Sequence, residues 1–176
     1  MAKPLPKRFD PDQMARDGAR HETSMSLSAF GRLATLLHGT DGEVRITSGF
    51  TRRRDHIVIG GRLSTTFALQ CQRCLTPMTL DIDEPYELTF VPDEQAAEAL
   101  PASLDPVVLD ETGYIETRAL FEDELILHVP LIARHADVAD CAPLPANVAV
   151  GLPAEGDDGE PVRRNPFDAL RHLDLH

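Results

Sequence analysis

The 176 residues include 42% hydrophobic side chains but only 5% aromatic ones, so the composition is that of a globular domain with an aliphatic core. Twenty-nine acidic residues against 17 basic ones give a net charge of −12 at pH 7, which argues against a general nucleic-acid clamp. No apolar run approaches the ~18 residues of a membrane span, and the first residues do not form a secretory signal. Three cysteines do not suggest a disulfide framework. These features predict a soluble, cytoplasmic protein.

The first part of the chain predicts an arm followed by a helix. Residues 1–25 combine three prolines with scattered charges of both signs, which predicts a flexible N-terminal arm. A single domain is expected over residues 26–142. Within it, apolar side chains recur at helical spacing from Ser26 to Leu37, and Gly39 follows where a helix would end, so a helix is predicted here.

Alternation of apolar and polar residues predicts strands in the middle of the chain. It runs from Val44 to Phe50, from Ile57 to Cys71 and from Met78 to Phe90. A period of two residues over such lengths is typical of half-buried strands, which we expect to form an antiparallel meander with one face in water. The Gly60-Gly61 pair within the second run predicts a bulge or a sharp coil of the sheet.

Two further helices are predicted downstream, from Asp93 to Leu100 and from Thr117 to His128, with a strand at Val107–Leu109. The predicted fold class is therefore α+β, a curved antiparallel β-meander of three to five strands packed against two or more helices. Residues 143–176 are rich in proline, glycine and acidic side chains, and they predict a flexible linker that ends in a short amphipathic tail.

Charge is distributed unevenly along the predicted strands. Residues 45–73 hold six arginines and one aspartate, a net charge of +5, whereas residues 81–124 hold fourteen acids and one arginine, a net charge of −13. One interpretation is a solvated surface with cross-strand ion pairs, each of which contributes little to stability. The alternative is a bipolar surface whose acidic face meets a basic partner while RNA contacts the loop Thr51–Asp55. The candidate nucleic-acid or partner contacts are Arg52, Arg53, Arg54 and Arg73.

The cysteines indicate a candidate metal site. Cys71 and Cys74 are spaced as C-x2-C at the predicted hairpin tip, where two thiolates can occupy two positions of a tetrahedral zinc site. The remaining candidate ligands are His135 and Cys141. In the alternative interpretation, Cys71 is a small core residue and Cys74 is an incidental thiol. A redox pair is disfavoured because a strand, and not a helix N-terminus, leads into the motif.

Neither a cofactor nor an enzymatic activity is expected from these residues. A site made from three cysteines and one distant histidine is geometrically uncertain, so we expect well under one zinc ion per chain. The sequence contains no G-x-S-x-G motif, no phosphate-binding glycine-rich loop and no H-E-x-x-H motif, and its seven histidines are scattered. We therefore expect a non-enzymatic protein that takes no small-molecule substrate.

Four segments occur in an order that points to a known family. They are the hairpin LQCQRCLTPM with the acidic strand after it, the segment PDEQAAEALP, the helix FEDELILH and the terminal NPFDALRHL. In this order they resemble the bacterial YceD family, the large ribosomal RNA subunit accumulation proteins. The resemblance covers residues 28–175 and includes no catalytic residues that could be carried over.

The resemblance implies a ribosome-biogenesis factor that supports the synthesis, processing or stability of large-subunit ribosomal RNA. The implied partner is a large-subunit ribosomal precursor, met through its RNA, through a basic ribosomal protein, or through both. Two alternatives are a chaperone or adaptor for a basic large-subunit ribosomal protein and a zinc-dependent nucleic-acid-binding regulator.

Overall fold

A five-stranded sheet organises the computed structural model, which describes residues 4–143. The predicted linker and tail from residue 144 onward lie outside the described residues. The strand order across the sheet is β2-β3-β4-β5-β6. The strands are β2 Arg20–Ser26, β3 Glu43–Arg53, β4 His56–Gln70, β5 Pro77–Val91 and β6 Asp105–Val108.

The predicted meander is confirmed for β2 to β5, which pair antiparallel in chain order. Strand β6 instead pairs parallel to β5, so the sheet is mixed. The helix α3, Glu94–Glu98, lies between them, and the side chain of Asp93 accepts a hydrogen bond from the backbone N–H of Ala96 at its start. This crossover returns the chain to the same end of the sheet, which sets the parallel pairing.

The N-terminal residues, expected to form a flexible arm, are part of the fold. Strand β1, Arg8–Phe9, pairs with β7, Ile115–Glu116, and is followed by helix α1, Pro11–Arg16. The ring of Phe9 packs edge-on against the ring of Phe50, with 5.2 Å between the two ring centroids. Strand β2 was missed because its sequence, RHETSMS, carries only one apolar side chain, although its burial alternates and it pairs with β3 along its whole length.

The helix predicted from Ser26 to Leu37 is shorter than expected. The segment forms a 3₁₀ turn over Leu27–Ala29 and then helix α2, Gly31–Ala34. The two do not join into one helix because Phe30 between them has an extended backbone. The start of α2 is held by a carboxylate from another helix. Glu122 accepts hydrogen bonds from the backbone N–H groups of Arg32, at 2.7 Å, and Leu33, at 3.3 Å.

Helix α4, Thr117–Leu127, confirms the predicted helix to within one residue and covers the inner face of the sheet. Phe121 and Leu125 on α4 are fully buried and belong to one core cluster with side chains of β3, β4 and β5. The sequence interpretation as an α+β fold, with helices packed on an open sheet, is therefore confirmed. The largest fully buried side chains of this core are Phe9, Phe30, Phe67 and Phe121.

The glycine pair of β4 marks a close approach between neighbouring strands, and the pairing register on both sides of it is continuous. A Cβ atom on Gly61 would lie 1.8 Å from the carbonyl oxygen of Thr47 on β3. The hydroxyl of Tyr86 donates a 2.9 Å hydrogen bond to that same oxygen. Glycine at position 61 therefore lets β3 and β4 come together more closely than a side chain would allow.

Glu124→Gln is expected to stabilise the protein modestly at neutral pH. Burial, and then the charges of Asp105 and Asp123, raise the pKa of Glu124. A raised carboxyl pKa means that stability falls as pH rises from the unfolded-state pKa through the folded-state pKa, so the ionised form costs stability at pH 7. We expect a gain below about 1 kcal/mol, because this side chain is only half-buried. Denaturant unfolding at pH 7 and pH 3 checks this, with the exposed Glu111→Gln as the control; an equal gain at pH 3 would contradict it.

Candidate metal centre

The turn between β4 and β5 places two thiols side by side in the interior. The backbone N–H of Leu75 donates to the carbonyl of Cys71 at 2.8 Å, and the N–H of Cys71 donates to the carbonyl of Thr76 at 2.9 Å. Leu75 adopts a φ of 64°, a left-handed conformation that a leucine rarely takes. This tight turn buries both thiols, leaving Cys71 0% and Cys74 4% exposed.

The loop after α4 brings the other two candidate ligands to this turn. The backbone N–H of Gln72 donates to the carbonyl of Ala133 at 2.8 Å, and its side-chain amide donates to the carbonyl of Leu131 at 3.4 Å. These bonds join the C-x2-C turn to residues 131–141, which we call the ligand loop. The loop then turns back on itself, with the N–H of Cys141 donating to the carbonyl of Val138 at 3.0 Å.

The four candidate ligand atoms have the separations that a tetrahedral zinc site requires. They all lie within 4.8 Å of one another. Nδ1 of His135 is 3.6 Å from the Sγ atoms of both Cys74 and Cys141, and the Sγ atoms of Cys71 and Cys141 are 3.9 Å apart. Zinc bonds of about 2.3 Å to sulfur and about 2.05 Å to nitrogen give tetrahedral edges of about 3.8 and 3.6 Å. A zinc ion fits among these atoms with little movement.

The electrostatics of the cluster favour thiolate at the C-x2-C pair. Burial opposes ionisation of Cys71, but hydrogen bonds from backbone groups of His135, Cys74 and Arg73 lower its pKa to about 5. The hydroxyl of Thr76, 3.1 Å from the sulfur, lowers the pKa of Cys74. Burial raises the pKa of Cys141, although Arg73 acts against it. Because thiolate is the form that binds metal, the C-x2-C turn is preset for coordination.

A family model described as "Large ribosomal RNA subunit accumulation protein YceD" matches residues 59–174, a range that includes all four candidate ligands. The chain belongs to the YceD family. A relative with the same description, from Haemophilus influenzae, is 26% identical over 170 residues, which make up 96% of this chain and 95% of the relative. No solved structure matches the chain.

The structure brings together every metal ligand that the sequence of this YceD-family chain suggested. His135, which the sequence alone could place only six residues before Cys141, has its ring nitrogen 3.6 Å from the Sγ atoms of Cys74 and Cys141 and forms the fourth corner of the cluster. Arg73 is a member of the cluster that the sequence does not indicate, since the sequence suggests it only as a nucleic-acid or partner contact. Its guanidinium donates to the Sγ of Cys141 at 2.9 Å. Its position between the two cysteines is the signal that could have suggested this role.

The arginine-rich loop of this YceD-family chain lies at the other end of β4. Arg54 is exposed at the two-residue turn between β3 and β4 and has a φ of 54°. Arg52 forms an ion pair with Asp12 of α1, and Arg53 forms one with Glu87 of β5 at 2.5 Å. The same pattern continues along the strands, where Arg62 pairs with Asp83 at 2.7 Å. The basic strand residues are thus largely neutralised by acids of the same chain.

Among residues 4–143, no helix has both the length and the apolar character needed to cross a membrane.

Proposed function

We propose that this chain is a cytoplasmic, non-enzymatic factor that supports the accumulation of large-subunit ribosomal RNA by contacting a large-subunit precursor. The observation that carries the proposal is the family match over residues 59–174 together with a relative of the same description that aligns with 96% of the chain. The family match includes most of β4, all of β5, α4 and the metal centre, and the relative aligns with nearly the whole chain, so the proposal does not rest on an isolated motif.

The proposal includes a zinc ion held by Cys71, Cys74, His135 and Cys141. Its support is the tetrahedral spacing of the four ligand atoms and the burial of the two C-x2-C thiols. Four protein ligands fill a tetrahedral zinc ion and leave no open position for a substrate, which is the arrangement of structural sites. The ion would fasten the ligand loop to the β4–β5 turn and so give this end of the sheet a fixed shape.

The proposed partner contact on the opposite end is the Thr51–Asp55 turn, with Arg54 at its tip and Arg52 and Arg53 on its flanks. A second candidate partner, a basic ribosomal protein in place of RNA, is favoured by one observation. Arg52, Arg53 and Arg62 are each matched to an acid of the same chain, so their charge is less available to phosphates.

Complementation of cells that lack the protein tests the proposal. We expect Arg54→Glu to lower the level of large-subunit ribosomal RNA and the co-sedimentation of the protein with large-subunit precursors, while leaving the melting temperature unchanged because the residue is exposed. We choose Arg54 because a glutamate at Arg52 or Arg53 would also lie against the acid that now pairs with that arginine, Asp12 or Glu87, and would destabilise the fold. Arg134→Glu, which reverses an exposed charge at the other end of the sheet, is the matched control.

Two outcomes bear on the nature of the contact. If up to three arginines contact single-stranded RNA, the logarithm of the affinity should fall with the logarithm of salt concentration with a slope of about −2, at roughly −0.7 per contact. Association that survives nuclease treatment would favour the basic protein. Normal levels of large-subunit ribosomal RNA in cells that lack the protein would contradict the proposed function itself.

A further inference from the structure

Arg73 contacts the ligand loop at three separate points. Its Nε–H donates to the Sγ of Cys141 at 2.9 Å. One terminal nitrogen donates to the carbonyls of His135, at 3.1 Å, and Asp137, at 2.9 Å. The planar guanidinium therefore spans from one candidate ligand to the backbone of another, a geometry that the point charge of a lysine could not reproduce.

These contacts connect the two halves of the metal centre without a metal ion. Arg73 stands between Cys71 and Cys74 in the β4–β5 turn, whereas His135 and Cys141 come from a segment more than sixty residues later. Outside these bonds, the turn holds the ligand loop mainly through Gln72, which donates to Ala133 and Leu131. Arg73 reaches the part of the loop that carries the ligands themselves, where the thiols of Cys71 and Cys74 also contact Cys141 and His135.

Arg73 also balances the charge of the centre. A zinc ion with three thiolates and one neutral imidazole carries a net charge of −1, and burying an unpaired charge is costly. The guanidinium beside Cys141 supplies the compensating positive charge. Groups that hydrogen-bond to metal ligands in this way orient the ligands, and their loss typically weakens metal binding about 10- to 100-fold.

We propose that Arg73 is the positioning residue of this centre, which holds the ligand loop on the C-x2-C turn before metal arrives and neutralises the thiolate cluster afterwards. The second half of this statement rests on the proposed zinc site; the first half concerns the metal-free protein and stands apart from it. This role differs from the RNA or partner contact suggested by the sequence, because the donors of the guanidinium are turned into the protein.

The first test uses full-length, metal-free protein under reducing conditions. Arg73→Met keeps most of the aliphatic stem and removes the charge and the donors, and Arg134→Met removes the same charge from an exposed position beside His135. We expect the amides of Gln72 and Cys141 to exchange at least about tenfold faster in Arg73→Met than in the parent, and unchanged in Arg134→Met. Unchanged exchange in Arg73→Met would overturn the positioning role.

The second test measures metal directly. We expect Arg73→Met to bind Zn²⁺ about 10- to 100-fold more weakly in competition with a chromophoric chelator, with Arg73→Lys between it and the parent. In Co²⁺-substituted protein, the thiolate-to-metal charge-transfer band should move to lower energy in both variants, because the hydrogen bond to Cys141 is lost. A general loosening of the fold would not produce this shift. Zinc affinity and band energy equal to the parent's would overturn the neutralising role.

The two tests separate this inference from the proposed function. If the parent protein binds neither Zn²⁺ nor Co²⁺, the zinc site and the neutralising role fail together, while the exchange experiment still decides whether Arg73 holds the loop. If Arg73→Met does not fold, the same exchange measurement on Arg73→Lys, which keeps the charge, decides it.

Discussion

Cys71→Ser is expected to abolish binding of the zinc ion that we propose for the candidate centre and to lower the melting temperature by on the order of 10 °C. A ligand present at about a thousand times its dissociation constant stabilises the folded state by about 4 kcal/mol, and a chain of this size melts about 2–4 °C lower for each kcal/mol lost. Cys71 is fully buried and directly follows the longest strand pair, so its replacement affects the centre and the turn that joins the two strands. Metal analysis of purified protein and thermal unfolding provide the measurement.

Two controls separate metal loss from local packing. A strong chelator should lower the melting temperature of the parent protein towards that of Cys71→Ser and leave the variant itself unchanged. His135→Gln should lose zinc in the same way, whereas His56→Gln, which alters a histidine at the far end of β4, should retain it. A parent protein that carries well under one zinc ion, and is indifferent to the chelator, would support the original expectation from the sequence.

Gly61→Ala is expected to destabilise the fold by roughly 3 kcal/mol or more. The added Cβ would lie 1.8 Å from the carbonyl oxygen of Thr47 and 3.1 Å from the hydroxyl of Tyr86. The first of these is a backbone atom in the middle of β3, so relief requires the two strands to separate. The separation would also strain the hydrogen bond from Tyr86 to Thr47.

The neighbouring glycine provides a matched control. A Cβ on Gly60 would meet its nearest atom, the carbonyl oxygen of Tyr86, at 3.6 Å, which is an ordinary contact. Gly60→Ala should therefore change the free energy of unfolding by less than about 1 kcal/mol. Urea unfolding of the three proteins gives the comparison, and similar midpoints for the two variants would contradict the close approach at position 61.

The long strands were predictable because their signal is local. In β3 and over most of β4 and β5, buried and exposed side chains alternate, so the period of two residues appears in a contiguous stretch of sequence. Helix α4 was predictable for the same reason, since its apolar positions recur every three or four residues before Pro130. Strand β2 pairs as regularly but carries His21 and Thr23 at inward positions, so hydrophobicity alone could not reveal it.

The candidate metal centre was predictable only in its residue types. The C-x2-C spacing identified two ligands, and elimination suggested His135 and Cys141, but their separation of up to seventy residues gave no information on geometry. The distances depend on how the ligand loop leaves α4 and docks on the β4–β5 turn through Gln72 and Arg73. Docking of this kind is a long-range event that no local pattern encodes.

The charges show the same division between sequence and tertiary structure. Sequence alone determined that basic residues gather on β3 and β4 and acidic ones on β5 and beyond. Whether those arginines are available to a partner or are paired with acids of the neighbouring strand was decided by strand register. The register places Arg53 beside Glu87 and Arg62 beside Asp83. Composition and periodicity are properties of residues that are adjacent in the sequence, whereas ion pairing depends on residues that are adjacent in the folded structure. For that reason the sequence determined the strands, the helix α4 and the ligand types, and only the folded structure decided which side chains meet.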